Sequence, residues 1–282
     1  MIKHKQIPIP PQLSQLPDAP TTLFGSGDNL KKLLDKPRVA IVGARKMSPY
    51  GQTVTEKLAS QLAGKGVVIV SGLAYGVDVC AHQAALEVGG QCIAVLACGL
   101  DRMYPAAHAR IGEEIIAKGG VIVSEYPDRT TPMQYRFLER NRLISGLSDA
   151  VIITEAAQRS GTLNTAAHAL NQGKPVLCAP GNITSQLSAG TNNLLKAGAT
   201  PVTSVGDVLA VLGMTNTAQP ALPLAANEHE FILLSLIKEG TNDGGKLLRQ
   251  SQLDTPTFNQ TLTMLEITAK IKPLGANQWA LA

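Results

Sequence analysis

Three arginines and one phenylalanine fall within a single short segment of this chain, Arg136-Phe-Leu-Glu-Arg-Asn-Arg142. Guanidinium forks grip phosphates and an aromatic face stacks on a nucleobase, so this pairing suits single-stranded nucleic acid. A solvated helix whose arginines pair with Glu139 and other surface carboxylates would have the same composition, so the segment alone leaves both readings open. Four other stretches carry compatible chemistry: Gly43-Ala-Arg45, Ser71-Gly-Leu-Ala-Tyr75, Ser160-Gly-Thr162 and Pro180-Gly181. Glycine lets the backbone approach a ligand closely, hydroxyls supply hydrogen bonds, and successive amides form a nest for an anion.

Other residue types point away from chemistry. Asp78 and Glu155 read as carboxylates that cap helices or orient arginines, and Arg142 as one half of a structural pair. His82 and His168 fall inside helical patterns as packed or surface residues. The four cysteines lack C-x-x-C spacing and the five histidines are scattered, so metal ligation and disulfides are not expected. No G-x-G-x-x-G and no G-x-x-x-x-G-K-[ST] is present, which removes the dinucleotide and ATP-hydrolysing P-loop readings. The expectation is a binding protein rather than an enzyme, with no cofactor.

Short apolar runs alternate with amphipathic stretches from Val39 onward. The runs are Val39–Val42, Val67–Val70, Cys92–Ala97, Val121–Val123, Val151–Thr154, Val176–Ala179 and Pro201–Thr203. Helical patterns lie between them, as in Gly51–Ala63, Val77–Val88, His108–Ala117 and Thr162–Asn171. That alternation predicts a doubly wound, Rossmann-like parallel sheet, an α/β class. The glycine-bearing stretches then all sit at the carboxyl ends of strands, where open α/β sheets bind ligands. Residues 1–37 are Pro-rich and polar and read as an extended arm ending in a short helix near Asn29–Leu34. Within them, Gly25-Ser-Gly-Asp28 reads as a turn. The sheet domain is expected over 38–214 and an uncharged Pro/Ala linker over 215–227. Residues 228–282 predict three helices and a hairpin turning at Gly275-Ala-Asn277, the order of a small winged-helix domain. Its third helix has no Lys or Arg between Thr257 and Ala269, which predicts contact with protein rather than strong reading of duplex DNA. A net charge of +4 confines anion binding to a local patch. The N-terminus has no apolar signal-like region and no run approaches membrane-spanning length, so a cytoplasmic location is expected.

The order and spacing of these motifs resemble the DNA-processing protein A (DprA/Smf) family over roughly Pro20 to Leu281. The matching elements are Val42-Gly-Ala-Arg45, Tyr50-Gly51, Ser71-Gly-Leu-Ala, Gly76-Val-Asp78, Gly99-Leu-Asp, Tyr104-Pro105 and Ser124-Glu-Tyr-Pro127. They continue with Phe137, Arg140-Asn-Arg142, Ser160-Gly-Thr-Leu-Asn-Thr-Ala166, Pro180-Gly181, Gly190-Thr-Asn192 and Gly198-Ala199. The resemblance implies a homodimer that binds single-stranded DNA without sequence preference, protects incoming strands and loads RecA during natural transformation. The residue chemistry and this resemblance together give the expected DNA contacts as Gly43, Arg45, Ser71, Gly72, Tyr75, Phe137, Arg140, Asn141, Ser160, Gly161, Thr162 and Lys174. Three positions depart from the family pattern: Tyr75 replaces an arginine, Leu138 a proline and Ala97 a glycine.

Two other functions fit a strand-edge pocket. Phosphoribohydrolases that cleave nucleoside monophosphates carry P-G-G-x-G-T-x-x-E, but alignment on Gly161-Thr162 puts Thr165 at the glutamate. A hydroxyl there is no general base near neutral pH without an activating partner. A nucleotide-sensing module is the second alternative.

Overall fold

The computed structural model describes residues 3–214 and 225–281, and the chain divides into two units, 1–215 and 216–282. In chain order the first unit opens with β1 (Lys5–Gln6), α1 (Pro11–Ser14), β2 (Phe24–Ser26) and α2 (Leu30–Leu34). The alternating part follows as β3 (Arg38–Val42), α3 (Pro49–Gly64), β4 (Val68–Ser71), α4 (Val77–Glu87), β5 (Cys92–Val95), α5 (Ala109–Ala117) and β6 (Val121–Ser124). It is completed by α6 (Gln134–Gly146), β7 (Ala150–Ile153), α7 (Thr162–Asn171), β8 (Val176–Cys178), α8 (Ala189–Lys196), β9 (Thr200–Pro201) and α9 (Val205–Val211).

Each central strand is buried on both faces, which explains its unbroken apolar reading. Val39 and Ile41 enter one core cluster with Leu58, Leu62, Ala81 and Ile115 from α3, α4 and α5. Ala40 and Val42 point the other way, into a second cluster with Leu143, Ile144 and Leu147 of α6 and Ala166 and Ala169 of α7. The period-two alternation of side chains thus divides one strand between two helix layers.

The sheet order is β1-β2-β6-β5-β4-β3-β7-β8-β9. Strands β3 to β9 are all parallel to one another. The chain winds outward from β3 to β6, then returns through α6 to lay β7 against the free side of β3. The strand order reverses at β3/β7, and a crevice opens there at the carboxyl ends.

The N-terminal arm corrects the expected boundary at residue 37, because it belongs to the first unit and adds strands to the sheet. β2 pairs antiparallel with β6, Phe24 opposite Ser124, and β1 pairs antiparallel with β2. The Gly25-Ser-Gly-Asp28 stretch is therefore half strand, half turn. Gly27 takes φ +97, and a Cβ there would lie 2.6 Å from the Gly120 carbonyl oxygen. Leu13, Leu23 and Leu33 anchor the arm in the second core cluster.

The second unit consists of α10 (Glu228–Lys238), α11 (Gly244–Ser251), α12 (Thr255–Ile267) and an antiparallel pair, β10 (Ile271–Gly275) and β11 (Gln278–Leu281). Leu233, Leu234, Leu247, Phe258, Leu265 and Ile271 form its core. Asn227, Asp243 and Asp254 cap the three helices by accepting from the amides of Glu230, Lys246 and Thr257. Residues 215–224 of the expected linker lie outside the described residues. Among the described residues no helix is long and apolar enough to cross a membrane.

Candidate nucleic-acid interface

At the β3/β7 switch point the structure holds a cleft of about 440 Å³. The loop after β3 brings Gly43, Arg45 and Lys46 to it, the loop after β7 brings Arg159, Ser160 and Gly161, and α6 supplies Phe137, Leu138, Arg140 and Asn141. On α6 the spacing 137, 140, 141, 144 is one helical face, so Phe137, Arg140, Asn141 and Ile144 all line the cleft.

Loop geometry follows from crowding at the strand ends. A Cβ on Gly43 would lie 2.6 Å from Val77 Cγ2 and 2.9 Å from the Glu155 carbonyl oxygen, so only glycine fits there. Glu155 locks the two loops together. Its carbonyl accepts from the Ala44 amide at 2.8 Å, and its buried carboxylate accepts from the Ser48 amide at 2.8 Å and Ser48 Oγ at 2.5 Å. Ser48 in turn caps α3. The Thr162 hydroxyl donates to the Gly43 carbonyl at 3.0 Å, and the Thr162 amide donates to Ser160 Oγ at 3.2 Å. Asn141 Nδ2 donates to the Gly161 carbonyl at 3.4 Å and Asn164 Oδ1 at 3.3 Å. The amides of Arg45, Lys46, Ser160 and Gly161 have no acceptor among the described residues, so they can meet a ligand oxygen.

Charge is divided between an inner and an outer layer. Inside, Arg140 is 3% exposed and donates through Nη1 to the Gly72 carbonyl at 2.8 Å and to the Val95 carbonyl, bridging the ends of β4 and β5. Burial pulls its guanidinium down to about 10, opposed by the Asp78 carboxylate, and it stays charged at neutral pH. Burial pushes Asp78 up; Arg140 and the amides of Ala74 and Gly72 work against that. Outside, Arg45, Lys46 and Arg159 are exposed and form no ion pair among the described residues. The Arg45 guanidinium carbon lies 4.9 Å from the Phe137 ring centroid, and the Tyr104 ring tilts against Phe137 at 5.8 Å. Asp78 is the one carboxylate among the described lining residues.

The cleft gathers eight of the twelve expected contacts: Gly43, Arg45, Phe137, Arg140, Asn141, Ser160, Gly161 and Thr162. Arg140 nevertheless needs correction as a phosphate ligand, because its donors serve backbone carbonyls and its side chain is part of the floor. Ser71 and Gly72 are framework too. Ser71 is fully buried with its hydroxyl donating to the Ile41 carbonyl at 2.7 Å, and the Gly72 amide donates to Asp78 Oδ2 at 3.1 Å. Tyr75 lies outside the lining and sets its ring edge-on to His108, centroids 4.8 Å apart at 69°. Lys174 is on the wrong edge of the sheet. The ten-residue helix α7 carries the chain back to the amino ends of the strands, where Lys174 sits near Asp149 and Arg38 and burial lowers its ammonium.

Arg142 is structural, as expected: Nη1 and Nη2 hold the two Glu125 oxygens at 2.7 Å each, and Nε donates to the Asp18 carbonyl at 2.8 Å. Sequence reasoning missed Lys46 and Arg159. Both were legible as basic residues flanking the glycine-bearing loops, next to Arg45 and Ser160.

A family profile described as DNA recombination-mediator protein A matches residues 1–213. The chain is 45% identical over 201 residues to DNA processing protein DprA of Streptococcus pneumoniae, covering 71% of this chain and 70% of that one. Protein Smf of Escherichia coli is 44% identical over 200 residues, 71% of this chain and 53% of the relative, so the chain spans about half of that protein's length. Among solved structures, DNA processing protein A of Helicobacter pylori, described for its single-stranded DNA binding mode, superposes with a TM-score of 0.68 at 38% identity. That match covers 75% of this chain and 96% of the other. The Streptococcus pneumoniae structure gives a TM-score of 0.68 at 42% identity, covering 74% of each chain.

Proposed function

This chain belongs to the DNA recombination-mediator protein A family, and from that premise we propose that its first unit binds single-stranded DNA without sequence preference at the β3/β7 cleft. The observation that carries the reading is the outer layer of Arg45, Lys46 and Arg159, exposed and without an ion pair among the described residues, with Arg45 against the Phe137 ring. Cations and free amides meet phosphates, while an aromatic face accepts any base, so affinity comes without a sequence code. The narrow floor of carbonyl-bound Arg140 supports a fixed binding surface rather than a reaction centre. With Thr165 in the cleft wall and Asp78 tied to the Gly72 amide, the cleft offers no ready general base, which supports a non-catalytic role.

The fuller role rests on the family resemblance: a cytoplasmic homodimer that protects incoming strands and loads RecA during natural transformation. The second unit, read as a winged helix, is assigned contact with protein on its own composition. Its outward α12 side has no basic residue, and Lys270, which follows, is paired with Glu230 at 2.7 Å.

A salt-dependent shift assay with oligo-dT and duplex DNA tests the binding role, followed by RecA filament formation on the bound strand. Preference for the single strand with filament stimulation is expected. Equal affinity for duplex, or release of free base from a nucleoside monophosphate, would overturn the proposal.

A further inference from the structure

All five tyrosines of the chain lie on one edge of the sheet: Tyr50 after β3, Tyr75 after β4, Tyr104 after β5, Tyr126 after β6 and Tyr135 at the start of α6. On the β5/β6 side they meet arginine. The Arg136 guanidinium carbon lies 5.3 Å from the ring centroid of Tyr126 and 5.3 Å from that of Tyr135, an aromatic–cation–aromatic arrangement. Tyr135 is 51% exposed. Tyr104 meets the cleft through its contact with Phe137.

The nearby carboxylates are already engaged. Glu139 accepts from the Tyr126 phenol at 2.8 Å, Glu125 holds Arg142, Asp101 accepts from the Arg129 amide at 3.0 Å, and Asp128 meets His4 at 2.7 Å. Arg136 donates to the Thr131 carbonyl and has no carboxylate partner among the described residues, so its charge is available to a phosphate. A polyanion leaving the cleft in this direction meets the Arg136 cation and two ring faces, beside a Glu139 carboxylate that the Tyr126 phenol holds but does not neutralise.

We propose that the strand bound at the cleft continues along the carboxyl edge toward β6 and seats further bases on a second station formed by Tyr126, Arg136 and Tyr135. This rests on the single-stranded DNA reading above and extends its footprint. The station begins beside the cleft, since Tyr135 and Arg136 fall between the cleft-lining Gln134 and Phe137 on α6. Its far end at Tyr126 follows β6, three interstrand steps or roughly 14 Å from the β3 loop. That corresponds to about four nucleotides at duplex rise, and fewer when the strand is stretched. Bases stack on aromatic and guanidinium planes regardless of identity, so the second station adds affinity without adding sequence preference.

The test uses the full chain with oligo-dT of two lengths, about two and about twelve nucleotides, the shorter falling short of the estimated span from the β3 loop to the station and the longer exceeding it. The unaltered protein is expected to bind the longer strand more tightly. Tyr135→Ala should lose roughly 5- to 150-fold on the longer strand, the range of one base–aromatic stack, and stay within about twofold on the shorter. Tyr135→Phe should retain the unaltered affinity. Binding of the short strand by the variants also reports that they are folded. Equal loss on both lengths, no loss on either, or failure of the phenylalanine variant would each overturn the second station. If the unaltered protein does not bind even the longer strand, the single-stranded DNA reading itself fails.

Discussion

Replacing Arg159 by glutamine should change the salt dependence of single-stranded DNA binding by a predictable amount. Arg159 is exposed, lines the cleft and has no ion pair among the described residues, so its charge is free to displace counterions from a phosphate. Each phosphate neutralised on a single strand contributes about −0.7 to the slope of log K against log salt. With Arg45, Lys46 and Arg159 each meeting one phosphate, the unaltered cleft should show a slope near about −2, and Arg159→Gln one near about −1.4. Because the electrostatic difference fades toward molar salt, the missing contact amounts to about fivefold in affinity at about 0.1 M. Fluorescence anisotropy with labelled oligo-dT, from about 50 mM to about 400 mM salt, resolves that difference. Parallel lines would refute the reasoning, since weaker binding without a change of slope would mean that Arg159 supports the loop rather than a phosphate.

Phe137→Ala should weaken binding by about 1–3 kcal/mol, with a slope change smaller than that of Arg159→Gln, because it removes a stacking face and no charge. Arg140→Met should act on stability. It leaves the Gly72 and Val95 carbonyls unpaired and Asp78 without its counter-charge, a loss of about 3–5 kcal/mol in chemical denaturation, whereas Arg45→Gln should cost less than about 0.5 kcal/mol. Gly72→Ala should share the sign of Arg140→Met, since a Cβ there would lie 2.4 Å from Arg140 Nη1. His82 is fully buried, and burial holds its imidazole down to about 3. A depressed folded value means that its contribution is present above the ordinary histidine range and is lost as pH falls toward about 3. The full loss is on the order of 5 kcal/mol. His82→Leu should therefore flatten the acid limb of a stability-versus-pH curve, and an unchanged limb would remove His82 as its source.

The six parallel strands β3 to β8 were legible because each is an apolar run buried on both faces, and the loops that follow them had to meet at one edge. β1 and β2 were not. Lys5-Gln6 and Phe24-Gly-Ser26 carry no apolar run, and their pairing depends on partners far away in the chain. Residue type also could not show which way a side chain turns within a loop. Ser71 and Tyr75 belong to one loop region, yet the first is sealed under the sheet edge and the second packs on His108. Arg140 reads as a surface cation in sequence, but α6 aims it at two strand-end carbonyls. Lys174 follows the Ser160–Thr162 loop closely in sequence, and only the length of α7 reveals that it ends on the opposite edge.

The arm that lays β2 and β1 beside β6 also limits how the sheet can grow. Its two outermost strands, β1 and β9, are two residues each, with exposed side chains. Open backbone ladders invite further strands, and very short edges offer almost no template for them. A second copy of this domain would therefore find little ladder to continue, so any self-association would have to use side-chain surfaces, where substitution could tune it without disturbing the strands that carry the cleft.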